Sequence, residues 1–201
     1  MITSTEKLKD FCEQALQHRY ITIDTEFLRE KTYFAQLCLI QLAFPGDGKS
    51  DSALIDVQSK NLDLSPLYDL FENKKIVKVF HAARQDLEIF FINSRIFPRP
   101  FFDTQIAAMV CGFGEQVGYE TLVRKLALQN IDKSSRFTDW SQRPLTDKQL
   151  SYALADVTHL RTVYEELEKI LKETGRKGWV EEEFENLLRP EIYLIKPIDS
   201  W

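Results

Sequence analysis

Asp24 and Glu26 are the first residues whose types and spacing suggest chemistry. In YITIDTEF the two-residue period of a strand puts Ile21 and Ile23 on one face and Thr22, Asp24 and Glu26 on the other. Two carboxylates then project together, their Cα atoms ~6.5 Å apart, within reach of one cation. A solvent-facing polar edge would carry the same pattern. Asp86, in VKVFHAARQDLEIFF, opens a helix just past a buried strand. Open α/β sheets place ligand sites there, and helix dipoles favour acids there for their own sake. Tyr152 and Asp156, in LSYALADVTHL, lie four residues apart on one helix face, which also describes an ordinary surface pair. Together these acids offer the hard oxygen ligands that suit two divalent cations, Mg²⁺ or Mn²⁺. A pair of such ions ~3.5–4 Å apart stabilises both the attacking and the leaving oxygen of an in-line displacement at phosphorus. Without cations, carboxylates packed this closely would repel one another.

The elements that must position these side chains follow from periodicity. Thr3 and Glu6 have capping-box spacing, and Leu8, Phe11, Cys12, Ala15 and Leu16 recur at helical intervals, which predicts a helix over about 4–17. Three strand-like runs follow at 20–26, 32–42 and 52–57, joined by short turns with no helix between them, so they should pair antiparallel. The pattern then alternates: a helix opened by Ser65-Pro66, a buried strand at 76–80, a helix around 87–91, a short strand at 101–103 and a helix from Thr104 to Val110. The 119–128 segment is helical. Thr146 and Gln149 start a long helix that should end at Gly175. The fold class is therefore α/β: a mixed five-stranded sheet, its first three strands antiparallel, flanked by helices in the manner of the ribonuclease H-like fold. A doubly wound sheet would need helices between those strands.

Composition narrows the function classes. With 201 residues, 44% of them hydrophobic, and no repeat or linker, residues 1–201 should form one domain. No apolar run approaches the ~18 residues of a membrane span, and the charged N-terminus lacks a signal-peptide core, so a cytoplasmic location is expected. Cys12, Cys38 and Cys111 read as reduced core thiols. The net charge of −5 argues against a global positive field for gripping nucleic acid. Residues 165–187 hold eight Glu against four Lys or Arg and read as one solvated helical stretch. Arg124, Lys125, Lys133, Arg136 and Arg143 against Asp132 and Asp139 form a local basic excess suited to phosphates.

In order along the chain, DTEF, YFAQLCLIQLA, FHAARQDLE, FDTQIAA, IDKSSRFTDWSQRPL and YALADV resemble the successive motifs of the ribonuclease D family of DEDD 3′-5′ exonucleases, in its tyrosine-bearing (DEDDy) subgroup. The resemblance implies an exonuclease catalytic domain over 1–201, without the helical RNA-binding (HRDC) domain that many family members carry. It implies a monomeric, metal-dependent 3′-5′ exoribonuclease acting on RNA with a single-stranded 3′ end, in tRNA or small structured RNA maturation. A DNA or short-oligonucleotide exonuclease and an inactive RNA-binding module are the alternatives. The implied metal ligands are Asp24, Glu26, Asp86 and Asp156. Asp24 would bridge both ions, and Tyr152 would orient or deprotonate the nucleophilic water. His81 would hold the terminal nucleotide or brace a ligand. Thr25 and Phe27 flank Glu26, where an aromatic can stack on or wedge between bases. Lys133, Arg136 and Trp140 suit a single-stranded end, with Trp140 equally placed to be a core anchor. Gln36, on the neighbouring strand, could face the site, and Asp103 reads as a helix cap or an acid bracing the ligands.

Overall fold

A computed structural model of the chain describes residues 1–30, 32–132 and 138–194. Helix α1 (Thr5–Ala15) precedes three strands, β1 (Tyr20–Leu28), β2 (Gln36–Ala43) and β3 (Ser52–Ile55). Alternation follows: α2 (Ser65–Glu72), β4 (Val77–Phe80), α3 (Arg84–Ser94), β5 (Phe101–Asp103) and α4 (Thr104–Val110). Then come α5 (Tyr119–Leu122), which continues as a π-helical turn over Val123–Ala127, the long α6 (Asp147–Thr174) and α7 (Lys177–Leu187).

The five strands form one sheet in the order β3-β2-β1-β4-β5. β1–β2 and β2–β3 pair antiparallel, β1–β4 and β4–β5 parallel. The antiparallel half excludes a doubly wound sheet, and β1 lies at the seam between the two halves. Alternation along β1 separates two layers. Ile21 and Ile23 are fully buried in the main core with Leu8 and Phe11 of α1, Leu67 and Phe71 of α2 and Leu87 and Phe90 of α3. Tyr20, Thr22, Asp24 and Glu26 turn toward α6; the Tyr20 ring lies 4.6 Å from that of Tyr164.

Several sequence-derived boundaries shift for local reasons. Ile2 pairs with Ile55 and holds Thr3 out of the helix, so Ser4 becomes the N-cap and makes no side-chain cap bond. The second strand starts only at Gln36, because the Thr32 hydroxyl donates to the Phe34 carbonyl and bends the chain before it. The Thr146–Gln149 capping box forms as expected, and Gly175, at φ 66°, ends α6 in the left-handed conformation that glycine tolerates. The acidic stretch at 165–187 is therefore two helices. Its second part is not a purely solvated face, since Val180 and Phe184 of α7 are buried in the core. Cys12 and Cys38 are buried and Cys111 is half-buried, all three as free thiols, and burial pushes the Cys12 thiol up to about 12. Among the described residues no helix is long and apolar enough to cross a membrane.

Candidate active site

Asp24 and Glu26 leave the C-terminal half of β1 on the face that α6 covers, and α6 brings Asp156 against them. Carboxylate oxygens of Asp24, Glu26 and Asp156 all lie within 4.8 Å of one another. Two hydrogen bonds set this register. Thr22, two residues before Asp24, donates from its fully buried hydroxyl to the Val157 carbonyl at 2.8 Å, bolting α6 to β1. From the other side the Tyr119 hydroxyl donates to the Asp156 carbonyl. Asp86 arrives from the opposite layer at the start of α3, where its carboxylate accepts a hydrogen bond from the buried Thr25 hydroxyl. Burial raises the Asp24 carboxyl well above the ordinary carboxylate range, and the charge of Asp156 adds to this. Asp86 is raised the same way, by burial and then by the charge of Asp24.

The acids open into a cleft of about 720 Å³, whose wall includes Phe27, His81, Gln85, Tyr119 and Tyr152. That size suits a small ligand such as a nucleotide. Tyr152 stands one helical turn before Asp156. Burial raises its phenol far above its usual value, and the charges of Asp156, Glu26 and Asp24 and a hydrogen bond to Asp156 do the rest, so it is held protonated.

The loop between β4 and α3 is shaped by Asp103, which is the N-cap of α4. Its buried carboxylate accepts four backbone N–H bonds, from Ala82 (3.1 Å), Ala83 (2.8 Å), Gln105 (2.7 Å) and Ile106 (3.4 Å). This holds Ala82 at φ 54°, a left-handed conformation that an alanine rarely adopts, and so aims His81 and α3 at the cleft. We expect Asp103→Ala to cost about 3 kcal/mol, combining a lost cap (~1 kcal/mol) with stranded buried N–H groups (~1–3 kcal/mol each). Urea denaturation checks this; a loss under ~1 kcal/mol would remove Asp103 from that role.

His81 is neutral, with burial lowering its pKa to about 4. Thr104 Oγ1 donates to the Phe80 carbonyl at 3.0 Å and so accepts from His81 Nδ1, 3.0 Å away. His81 Nε2 is thereby left as a hydrogen-bond acceptor on the cleft wall.

Residues 1–172 match the 3′-5′ exonuclease family. The chain belongs to that family. A ribonuclease D from Jannaschia sp. (strain CCS1) is 58% identical over 200 residues, covering 100% of this chain and 52% of the relative. Escherichia coli RNase D, an exoribonuclease involved in structured RNA processing, matches with a TM-score of 0.91 at 36% identity, over 100% of this chain and 52% of that one. Brucella melitensis NrnC with bound Mg²⁺ matches with a TM-score of 0.78 at 28% identity, over 93% and 90% of the two chains, and NrnC is also known bound to pGG. The chain spans about half the length of the curated relatives it matches.

As a member of the exonuclease family, the chain places its remaining candidate residues unevenly. Thr25 and Phe27 both line the cleft, but the Thr25 hydroxyl is engaged by Asp86. Gln36 is exposed at the start of β2, opposite Leu28, and does not line the cleft. Trp140 borders the cleft yet is only 2% exposed, packed with Leu39, Leu54 and Ala153 beside Tyr152, so it is a core anchor and offers no stacking face. Arg143 fixes it there. The guanidinium donates to the carbonyls of Trp140 (2.7 Å) and Cys38 (2.9 Å) and pairs with Asp56 at 2.8 Å. Burial works to raise the Asp56 carboxyl, but Arg143 outweighs it and the net shift is downward. Arg143 is thus a clamp and not a phosphate contact, whereas Arg124 and Lys125 are exposed. Lys133 and Arg136 lie outside the described residues.

Sequence reasoning missed three positions. Tyr119 opens the 119–128 segment, which read only as helical, but its phenol is raised well above its usual value, by burial and then by the charges of Asp156, Asp24 and Tyr152. Arg29 lines the cleft and pairs with Glu88 at 2.8 Å; its place just past DTEF was a usable signal. Gln41 was the third.

Proposed function

We propose that this domain is a 3′-5′ exoribonuclease that removes nucleotides singly from the single-stranded 3′ end of RNA, as a cytoplasmic monomer, with two Mg²⁺ or Mn²⁺ ions. The observation that carries the reading is the convergence of Asp24, Glu26 and Asp156 within 4.8 Å, with Asp86 electrostatically linked to Asp24 across the strand end. These residues fit the ions: Asp86 and Asp156 are buried and Asp24 and Glu26 half-buried, burial and a neighbouring acid's charge raise the pKa of Asp24 and of Asp86, and the set supplies only hard oxygen donors. When bound, such ions lower the pKa of water and neutralise charge at the scissile phosphate.

Asp24 and Asp156 hold one side of the site and Thr25 keeps Asp86 turned toward it. Tyr152, as a phenol, orients the attacking water by hydrogen bonding. His81 Nε2 accepts from a hydroxyl of the terminal ribose, while Phe27 packs on or beside the last base. Lys133 and Arg136 are proposed phosphate contacts. Likeness to ribonuclease D favours tRNA and small structured RNA 3′ maturation. A second reading, hydrolysis of short oligonucleotides, is favoured by the likeness to NrnC with its bound pGG.

The test is cation-dependent shortening of 3′-labelled single-stranded RNA, with mononucleotide as the product. Activity that survives full chelation would overturn the metal-dependent reading. A ribose substrate compared with its deoxyribose counterpart separates RNase from DNase, and a 2-mer compared with a structured RNA tests the second reading.

A further inference from the structure

Gln41 lies at the middle of β2, in register with Asp24 of β1 on one side and Leu54 of β3 on the other. Facing residues of an antiparallel pair project from the same side with Cβ atoms ~4.5–5.5 Å apart. The Gln41 side chain therefore emerges beside the Asp24 carboxylate, in the layer that α6 covers. It is fully buried, and among the described residues neither its Nε2 nor its Oε1 has a hydrogen-bond partner. Buried amides are normally satisfied, and one left unsatisfied in a fully packed layer calls for a reason. A second group in the same layer is in the same condition. The buried Trp140 Nε1 also has no partner among the described residues, and Trp140 belongs to the same buried cluster as Leu39, two residues before Gln41, and Leu54, its cross-strand partner.

The two groups are complementary. An amide oxygen accepts, an indole N–H can only donate, and the amide NH₂ still has protons to give a carboxylate. The terminal amide torsion is broad, so the amide turns without moving the backbone. Its neutrality matters as well: a lysine or arginine at this place would ion-pair with Asp24 and compete with cations for its charge.

We infer that Gln41 is a positioning residue for Asp24: turned from the orientation seen here, its amide donates an N–H to the carboxylate and holds it where it meets the cations, while its oxygen accepts the Trp140 indole N–H. This rests on the metal-dependent reading above. Gln41→Met keeps the length and removes only the polar atoms. We expect it to fold with an unchanged or higher thermal midpoint. Mn²⁺ binding to the chelator-stripped protein, followed by the EPR signal of free Mn²⁺, should weaken about tenfold, and kcat should fall ~10–100-fold, the range for groups that orient metal ligands, with KM nearly constant. Trp140→Phe, which keeps a ring and loses the N–H, should weaken Mn²⁺ binding in the same direction.

A folded Gln41→Met variant with wild-type Mn²⁺ affinity and kcat overturns the inference. If Gln41→Met does not fold, unchanged Mn²⁺ affinity in Trp140→Phe overturns it instead. A wild-type protein that binds no Mn²⁺ overturns the metal-dependent reading itself, a result distinct from either of these.

Discussion

Asp24→Asn should reduce cation-dependent RNA shortening by more than ~100-fold, because loss of a group one step removed from a metal already costs ~10–100-fold. The same substitution should raise the thermal midpoint of the protein in excess chelator. Both effects have one cause. Asp24 lies between Asp156 and Asp86, and burial and the charges of the neighbouring acids raise both Asp24 and Asp86 well above the ordinary carboxylate range. An acid whose folded pKa exceeds its unfolded value of ~3.9 leaves the folded state holding more protons in the interval between them, so stability falls as pH rises through that interval. The chelated wild type should therefore lose stability from about pH 4 upward, and Mg²⁺ should restore more of it at pH 8 than at pH 5. Asp24→Asn removes one of the mutually repelling charges and should flatten the pH dependence. For a chain of this size, ~1 kcal/mol corresponds to ~2–4 °C in midpoint, which scanning fluorimetry across pH resolves. A lower midpoint in chelator, or activity within tenfold of wild type, would remove Asp24 from the centre of the site.

How far the sequence disclosed this arrangement depends on the distance over which each decision is made. The pairing of Asp24 with Glu26 needs only the period of a strand. The capping box at Thr146 and the stop at Gly175 need only local turn chemistry, and these set the helix that carries Tyr152 and Asp156. Register between strands is a different kind of fact. The second strand holds both Gln36 and Gln41, of which only Gln36 reads as a candidate, and nothing local says which faces Asp24. The choice follows from the β1–β2 alignment, which contains an irregularity between Glu26 and Phe27. That alignment sets Gln41 opposite Asp24 and Gln36 opposite Leu28. Trp140 failed as a stacking residue for a similar reason. It sits in a polar stretch without periodicity, and its burial depends on Arg143 reaching residues 87 and 105 positions away in sequence, Asp56 and Cys38.

Tyr152→Phe is the second large loss to expect, and its pH dependence separates the two roles open to the hydroxyl. A positioned group that handles a proton is worth ~10²–10⁴ in rate. Removing this hydroxyl should lower kcat by about 10²-fold and leave Mn²⁺ affinity within a few-fold, since Asp156 and the rest of the acids are untouched. Burial, the first cause of the raised phenol pKa, does not depend on the charges of the acids, so even with those charges neutralised the phenolate stays scarce at neutral pH. The hydroxyl can then act as a donor and acceptor that aims the water, while the ions acidify it. The pH profile of kcat/KM for Tyr152→Phe should accordingly run parallel to that of the wild type and below it. If Tyr152 were instead the base, the wild-type profile would carry an ascending limb that the variant lacks, and that limb would assign the proton to the phenol.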